Sequence, residues 1–386
     1  MSRRITLFIL LAILLAALVV GGLALYPLAR RQWTAPLGPE LGLPTRTATT
    51  QASAAVPGET QEYVTNPEKQ AASENRPAAN LKPASPTPKL TPTPAALCGG
   101  PPLMTVLALG ADSGQDYRYG LADVIRIARI DFVTPKVSVL SMPRDLWVEI
   151  PDISEKYGIT HGKLNQAYFY GSPGMGYYDE PGAGPGLLAR TLDLNFGLAV
   201  EHYGAVNMQT FVKIVDALGG IDLYLPNDVD GRSDDPMTVD LGYFYAGQHH
   251  FTGEQALAFA RIRKRYNDFT RMDHQTMVIC ALREKITSPA VIPKIPQIIQ
   301  SFVGSVQTDL SLEQLSQLAC LAPQIKRENL LFTSLPEELF SPGRMYNPVQ
   351  KNTTFVLEAN YDLIREYIAR FMNGTWPTEP EEPACP

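Results

Sequence analysis

A long apolar segment near the N-terminal end constrains the architecture of this chain more than any other feature. From Ile5 to Ala29 there is no charged residue, and Leu, Ile, Val and Ala predominate. A run of this length crosses the hydrocarbon core of a bilayer, about 30 Å thick, as a single helix. A cleaved signal peptide is the alternative, but its apolar core has only about 7–15 residues and ends at a small-residue cleavage site. Because Arg30 and Arg31 follow here, we predict that residues 1–31 are a short N-terminus and a single-pass membrane anchor.

The segment after this anchor has the composition of a spacer. Residues 32–97 are rich in Pro, Ala, Thr and Ser and show no sustained hydrophobic period, with Lys82–Pro94 as the extreme case. Proline lacks an amide donor and favours extended polyproline conformations, so such a segment is a semi-stiff linker. We predict that residues 32–97 join the anchor to a folded domain at residues 98–386 and hold that domain away from the membrane.

The folded domain contains four cysteines, Cys98, Cys280, Cys320 and Cys385. None belongs to a Cys-x-x-Cys pair, so the spacing of a zinc ribbon is excluded. Four cysteines allow three pairings, and since the outer two bracket the domain we predict the disulfides Cys98–Cys385 and Cys280–Cys320. Disulfides persist in oxidising compartments. We therefore expect the domain to be extracytoplasmic and attached to the cell membrane.

Patterns typical of strands and helices alternate within this domain. Short apolar runs predict strands at Met104–Leu109, Val124–Ile130, Lys136–Leu140 and Ile221–Leu225. Helical apolar spacing predicts helices at Phe211–Leu218, at Ala256–Arg263 after a capping box at Thr252–Gln255, and from Thr270 to Ile286. This mixture favours an α/β or α+β sandwich, in which helices cover a central mixed sheet.

Cationic side chains are concentrated in one region of a chain that is acidic overall. The net charge is −6, with 33 Lys and Arg against 39 Asp and Glu, which argues against a whole-surface nucleic-acid binder. Arg261, Arg263 and Arg271 nevertheless lie close together and follow the apolar run Ala256–Ala260. They can form a solvated charged face, offset the dipole at a helix C-terminus, or present guanidinium groups to a phosphate or pyrophosphate.

Two carboxylates and a further arginine lie at the ends of predicted strands. Asp112 follows the first strand, and Asp123 opens the second. Acids in such positions can share a hard cation such as Mg²⁺, which takes one or two carboxylates and completes its shell with substrate phosphates. Arg144 comes directly after the third strand, at an edge where α/β proteins often form sites. Helix capping or salt bridging would also explain these acids, so the spacing alone leaves both roles open.

Taken in chain order, these fragments resemble the LytR–CpsA–Psr family of cell-wall phosphotransferases. The resemblance covers about Leu103 to Lys285, and the anchor, linker and outward-facing domain also match the family's layout. It rests on seven blocks in the family's order: Leu109–Ser113, Ala122–Ile125, Leu140–Asp145, Lys163–Tyr168, Val215–Ile221, Thr252–Arg263 and Asp268–Gln275.

The resemblance implies an enzyme that transfers a glycopolymer phosphate from a polyprenyl-pyrophosphate carrier to a cell-wall hydroxyl, usually on peptidoglycan. It implies Mg²⁺, with Mn²⁺ as a substitute, at the pyrophosphate, and an apolar cavity between sheet and helices for the lipid. Nucleic acid is not among the implied partners. Because phosphoryl transfer needs mainly positioning and charge neutralisation, no protein nucleophile is required.

The family's motifs also imply which residues act. The metal-associated acids would be Asp112 and Asp123, and Asp112 is also the candidate base for the acceptor hydroxyl. The catalytic clamp on the pyrophosphate would be formed by Arg144, Arg261 and Arg263. The other substrate-binding residues would be Arg118, Lys163, Asp268, Arg271 and Gln275.

The sequence departs from the family pattern at three positions. Leu121 and Val124 stand where the family usually has an Arg before, and a Thr or Ser after, the second aspartate, and Arg118 is the candidate for the missing charge. His274 stands where the family commonly has Arg. A hydrolase that uses water as the acceptor would need the same site, and a non-catalytic polyprenyl-phosphate-binding protein would need much of it. These two alternatives stay open at this point.

Overall fold

A computed structural model of the chain describes residues 30–43, 95–233, 240–262, 268–302 and 304–378, together with Cys385. The predicted membrane-spanning run Ile5–Ala29 and most of the predicted linker, residues 44–94, lie outside these ranges. Within the ranges described, no helix is long and apolar enough to cross a membrane.

The domain is built from β-strands and α-helices that alternate along much of the chain. The strands are β1 (Leu103–Asp112), β2 (Leu121–Asp131), β3 (Lys136–Ser141), β4 (Trp147–Glu149), β5 (His161–Lys163), β6 (His202–Asn207), β7 (Ile221–Leu225), β8 (Val229–Asp230), β9 (Tyr243–Phe244), β10 (Gly247–Phe251), β11 (Val306–Thr308), β12 (Leu330–Ser334), β13 (Phe340–Asn347) and β14 (Asn352–Ala359). The helices are α1 (Ser154–Tyr157), α2 (Leu164–Gly171), α3 (Ala183–Phe196), α4 (Met208–Ala217), α5 (Gly253–Arg261), α6 (Asp268–Ile286), α7 (Ile295–Phe302), α8 (Leu312–Leu321) and α9 (Tyr361–Met372).

A six-stranded mixed sheet lies at the centre, and this confirms the predicted fold class. Its strands are ordered β11-β6-β1-β2-β3-β12. The pairs β1–β6 and β3–β12 are parallel, and the other neighbours are antiparallel. Mixed sheets covered by helices are common among α/β folds, since each face of the sheet must be buried against another layer.

One face of this sheet carries the main hydrophobic core. Leu107 of β1 and Ile127 of β2 are completely buried there, together with Leu164 of α2 and Leu187 and Leu192 of α3. Full burial of one such side chain is worth roughly 1.5–3 kcal/mol. Packing on this face therefore fixes β1 and β2, whose far ends carry Asp112 and Asp123.

A second, smaller core holds three helices in place. It is formed by Val215 of α4, Ile221 and Leu223 of β7, Phe251 of β10, Phe259 of α5 and Val278 of α6. The capping box at the start of α5 is present as predicted, because the Thr252 amide donates to the Gln255 side chain at 3.0 Å and the Gln255 amide donates to the Thr252 hydroxyl at 3.4 Å. Helix α5 ends at Arg261 because Ile262 is extended.

The predicted disulfide pairing is wrong. The disulfides join Cys98 to Cys320 and Cys280 to Cys385. A short 3-10 helix at Leu97–Gly99 places Cys98 beside α8, the helix that contains Cys320. The Gln317 side chain of α8 donates to the Gly99 carbonyl at 3.0 Å. Cys385 is buried in a cluster with Cys280 of α6. The outer cysteines bracket the domain in sequence, but they lie against different elements.

We expect the Cys98→Ser/Cys320→Ser double variant to lose roughly 2–5 kcal/mol of unfolding free energy. The bond connects residues 222 positions apart, and closing so long a loop removes much of the conformational entropy of the unfolded chain. Urea unfolding of the two proteins under non-reducing conditions measures the difference. An unchanged urea midpoint would contradict this expectation.

Candidate active site

A cavity of about 1000 Å³ lies above the other face of the sheet. Residues from β1, β2 and β6 and from helices α4, α5 and α6 line it, and the β13–β14 hairpin contributes three more. Its lining includes the predicted site residues Asp112, Asp123, Arg144, Lys163, Arg261, Arg271 and Gln275. The structure thus brings together side chains from six separate parts of the sequence.

Small residues on the strands make room for this cavity. On β1, Asp112, Gly110 and Ala108 alternate toward it, and on β6 Gly204 and Val206 do the same. A Cβ atom added to Gly204 would meet no atom within 4 Å. Protein interiors are closely packed by side chains. Because Ala108, Gly110 and Gly204 have small side chains or none, open space remains above β1 and β6.

An irregularity in the β1–β2 ladder at Asp123 places this side chain on the same side of the sheet as Asp112. Gly110 pairs with Val124 and Ala111 pairs with Ala122, so Asp123 is the extra residue of a β-bulge. A bulge reverses the local alternation of side chains and often re-aims a side chain beside a functional site. As a result both carboxylates line the same cavity.

Arg144 is the centre of an ion-pair network at this end of the cavity. Its guanidinium lies 2.5 Å from Asp123, 3.5 Å from Asp145 and 3.8 Å from Asp268. Burial by itself would lower the pKa of Arg144, but the three carboxylates outweigh burial and raise the pKa above its ordinary value. Arg144 therefore carries its positive charge at every physiological pH.

The network extends to two further cations. Lys163 lies 2.7 Å from Asp145, and Arg271 lies 2.8 Å from Asp268. The backbone around Arg144 is also held, because its carbonyl accepts the Asn165 amide at 3.1 Å and the Asp145 carbonyl accepts the Leu357 amide at 2.9 Å. These contacts tie the loop after β3 to α2 and to β14, which pre-organises the charged groups.

Helix α6 changes from charged to apolar along the cavity. Arg271, Gln275, Val278, Ile279 and Leu282 line it at helical spacing, so they share one face of the helix. From Arg271 to Leu282 this face extends about 16 Å at 1.5 Å per residue. The parallel change on β1, from Asp112 to Gly110 and Ala108, gives the cavity a charged end and an apolar slot.

Three other positions singled out in the sequence are not among the cavity-lining residues that the structure describes. Arg118 is exposed and is not among the cavity residues, so its role as the replacement charge stays a prediction. Arg263 belongs to residues 263–267, outside the described part of the chain. His274 is buried, and its ring lies 4.7 Å from that of Phe259 in the second core.

Sequence reasoning missed several cavity residues. Asp145, Asn165 and Gln166 lie inside the motif blocks, and this position was the signal that could have identified them. The hairpin residues Gln350, Thr354 and Phe355 carried no such signal. Arg126 of β2 was also missed; it is buried and donates to the Met272 carbonyl at 2.8 Å and the Thr276 hydroxyl at 3.0 Å. Burial lowers its pKa to about 10, and its contacts tie β2 to α6.

The carboxylates at the charged end suit a hard cation that shares its shell with a substrate. Among the residues that the structure describes, no group of three or more His, Cys, Asp or Glu side chains is placed to hold a metal ion. Asp112 and Asp123 supply two carboxylates in one cavity, and Mg²⁺ is commonly held by one or two carboxylates together with substrate phosphates and water. The residues therefore fit a metal that arrives with a phosphorylated ligand.

The buried His274 predicts a pH dependence of stability. Burial lowers its pKa from 6.5 to about 4, opposed by a hydrogen bond with Ile262. Between these two values the unfolded state binds more protons, so the free energy of unfolding falls as the pH is lowered, by about 3 kcal/mol in total. The His274→Gln variant should lose this part of the pH dependence in urea unfolding at pH 7 and at pH 4.5, because glutamine does not titrate. The matched control, His161→Gln at an exposed position, should keep it, and a wild-type slope in His274→Gln would contradict the assignment.

Fold and site together define an α/β domain in which a cluster of guanidinium and carboxylate groups opens onto an apolar slot, as an amphiphilic anion requires. The chain belongs to the LytR_cpsA_psr family, whose sequence profile matches residues 68–365.

Two curated relatives and one solved structure are similar to this chain. It is 34% identical over 218 residues to the polyisoprenyl-teichoic acid–peptidoglycan teichoic acid transferase TagU of Oceanobacillus iheyensis, covering 56% of this chain and 61% of that protein. It is 29% identical over 209 residues to the regulatory protein MsrR of Staphylococcus aureus, covering 54% of this chain and 56% of that protein. The crystal structure of Bacillus subtilis TagV shares the fold, with a TM-score of 0.53 and 23% identity over 70% of this chain and 97% of that one. The matched part is thus less than two thirds of either curated relative.

Proposed function

We propose that the protein transfers a glycopolymer phosphate from a polyprenyl-pyrophosphate carrier to a hydroxyl of peptidoglycan. The observation that carries this proposal is the cavity with its charged end and its apolar slot, because a lipid-linked pyrophosphate needs both at once. Membership of the family and the teichoic acid transferase activity for which TagU is named support the same reaction class.

In this proposal the cations at the charged end bind and orient the diphosphate. Arg144, Lys163, Arg261 and Arg271 line that end, and their charges offset those of the phosphate oxygens in the loose transition state. The acceptor oxygen attacks the phosphorus that bears the glycan, and the bond from that phosphorus to the bridging oxygen breaks. The polyprenyl monophosphate leaves with that oxygen, and Asp112 takes the proton of the acceptor hydroxyl.

Asp112 and Asp123 would hold the Mg²⁺, or Mn²⁺ in its place. The bound ion would add positive charge at the phosphate oxygens. Arg144 lies beside Asp123 and so orients that carboxylate for its role. Gln275 and Asp268 help to fix the wall of the site, since Gln275 donates to the Ala260 carbonyl at 3.4 Å and Asp268 bonds Arg271.

We also propose that the chain is anchored in the cell membrane by residues 5–29, with the catalytic domain extracytoplasmic. The charge-free run from Ile5 to Ala29 supports the anchor. The two disulfides support an oxidising compartment on the outer side.

A hydrolase and a non-catalytic lipid-binding protein are the competing functions. The full chain is incubated with Mg²⁺, a polyprenyl-pyrophosphate glycan labelled in its sugar, and a peptidoglycan oligosaccharide. A transferase will attach labelled glycan phosphate to the oligosaccharide and will release one polyprenyl monophosphate for each glycan transferred. Release of free sugar phosphate at the same rate without the oligosaccharide would indicate a hydrolase, and unchanged lipid would indicate a binding protein.

A further inference from the structure

The residues that directly follow the predicted anchor lie on the folded domain. Residues 30–34 are helical, and Pro36 forms an antiparallel β-bridge with Ser311. The Leu37 amide donates to the Leu310 carbonyl at 3.3 Å, and the Tyr203 hydroxyl donates to the Pro39 carbonyl at 3.1 Å. This part of the chain was predicted to belong to a linker that holds the domain away from the membrane.

The contact continues into the main core. Leu41 is only 3% exposed and packs in the same core as α2 and α3. Leu43 packs against that core as well. Gly38 lies so close to the sheet that a Cβ atom there would come within 2.7 Å of the Thr308 carbonyl oxygen. Residues 36–43, which we call the clip, thus combine backbone pairing with a buried apolar anchor point.

The clip pairs with the chain at the end of the edge strand of the sheet, from Thr308 to Ser311. Strand β11 is an edge strand, and edge strands expose unpaired amides and carbonyls unless another segment covers them. The contacts of Pro36, Leu37 and Gly38 run along Thr308–Ser311 in the antiparallel direction. Beyond residues 44–94, which lie outside the described part of the chain, the Leu97 amide donates to the Phe132 carbonyl at 2.8 Å.

We propose that the clip holds the catalytic domain directly beside its membrane anchor. Residues 44–94 connect two segments that both belong to this domain, so their length does not set the distance between the domain and the membrane. This inference rests on the anchor of the proposed function. It means that the distance between the catalytic domain and the membrane is set by the few residues between Ala29 and Pro36.

The clip and a long tether differ strongly in the distance that they allow between the domain and the membrane. With residues 30–34 helical, the clip begins at most about 15 Å beyond Ala29 even if residues 35 and 36 were fully extended. A tether made of residues 44–94 could extend about 160 Å at about 3.1 Å per residue. The distance from the domain to the membrane surface therefore distinguishes them.

The test measures energy transfer from a fluorophore on the domain to an acceptor dye in the membrane. The full chain is reconstituted in phosphatidylglycerol–phosphatidylcholine vesicles, with azidophenylalanine at the exposed position of Tyr346 as the labelling site. Four proteins are compared: the full chain, a deletion of residues 51–85, Gly38→Val and Leu41→Asp. The unfolding temperature of each one establishes that the domain is folded.

If the clip holds the domain, the transfer efficiency will be the same in the full chain and in the deletion. It will be at least twofold lower in Gly38→Val and Leu41→Asp. Gly38→Val disturbs only the contact with Thr308 at the edge of the sheet. It therefore tests the proposal even if Leu41→Asp fails to fold. An efficiency that rises in the deletion, or that stays unchanged in folded Gly38→Val, would overturn the proposal. Because the readout is a distance, it is independent of whether the protein transfers a glycan.

Discussion

The Asp112→Asn variant is expected to lose about a thousandfold in turnover while its unfolding temperature stays unchanged. Asp112 lies at the charged end of the cavity, where it is assigned both to the metal and to the acceptor proton. Asparagine keeps the shape of the side chain but removes its negative charge and its capacity to take a proton. Because Asp112 is exposed, the substitution leaves the core unchanged.

The control for this variant is Asp116→Asn. Asp116 is an exposed acid in the loop after β1, outside the cavity, and it accepts the Arg118 amide at 3.2 Å. Both variants have the same net charge, so a difference in their transfer rates is due to the position of the lost charge. The rates are measured as initial rates of glycan transfer at saturating Mg²⁺. Equal rates in the two variants would remove Asp112 from the mechanism.

The Gly204→Leu variant is expected to bind long-chain polyprenyl carriers about two-hundredfold more weakly. The leucine side chain would occupy the floor of the slot without meeting another atom at its Cβ. It displaces about four carbons of the lipid from apolar surroundings, at roughly 0.8 kcal/mol for each. The binding constant is measured by titration with a fluorescent polyprenyl monophosphate.

A graded series makes this result specific. Gly204→Ala adds one carbon, so its effect should be about fourfold on the same scale. Neither variant should change the KM for the peptidoglycan acceptor, since Gly204 lies on the sheet below the apolar slot. If Gly204→Leu binds the lipid as tightly as the natural chain, the lipid does not lie above β1 and β6.

Local patterns in the sequence predicted the strands and helices that carry the site. The strands predicted at Met104–Leu109, Val124–Ile130 and Lys136–Leu140 correspond to β1, β2 and β3, and the helix predicted from Thr270 to Ile286 corresponds to α6. These elements have strong apolar periods. Helix α3 was not predicted, because its first turn, Ala-Gly-Pro-Gly, has the composition of a turn. Close packing explains these glycines, since a Cβ on Gly184 would come within 2.8 Å of the Tyr168 carbonyl oxygen.

The parts of the site that could not be predicted depend on contacts between distant segments. The bulge at Asp123 depends on the register of β1 against β2, and the hairpin that brings Phe355 to the cavity carries no motif of its own. The disulfides depend on where Cys98 and Cys385 lie in space, and the order of cysteines along the chain holds no such information. For the same reason the clip at residues 36–43 could not be distinguished from the linker by composition.

Native mass spectrometry of the full chain with added polyprenyl pyrophosphate tests the central claim most directly. If the charged end and the apolar slot form one binding site, the spectrum will show one lipid diphosphate per chain. Asp112→Asn should retain this complex even though it does not turn over, and Gly204→Leu should lose it at the same lipid concentration. No complex at saturating lipid, or equal occupancy in Gly204→Leu, would contradict the account.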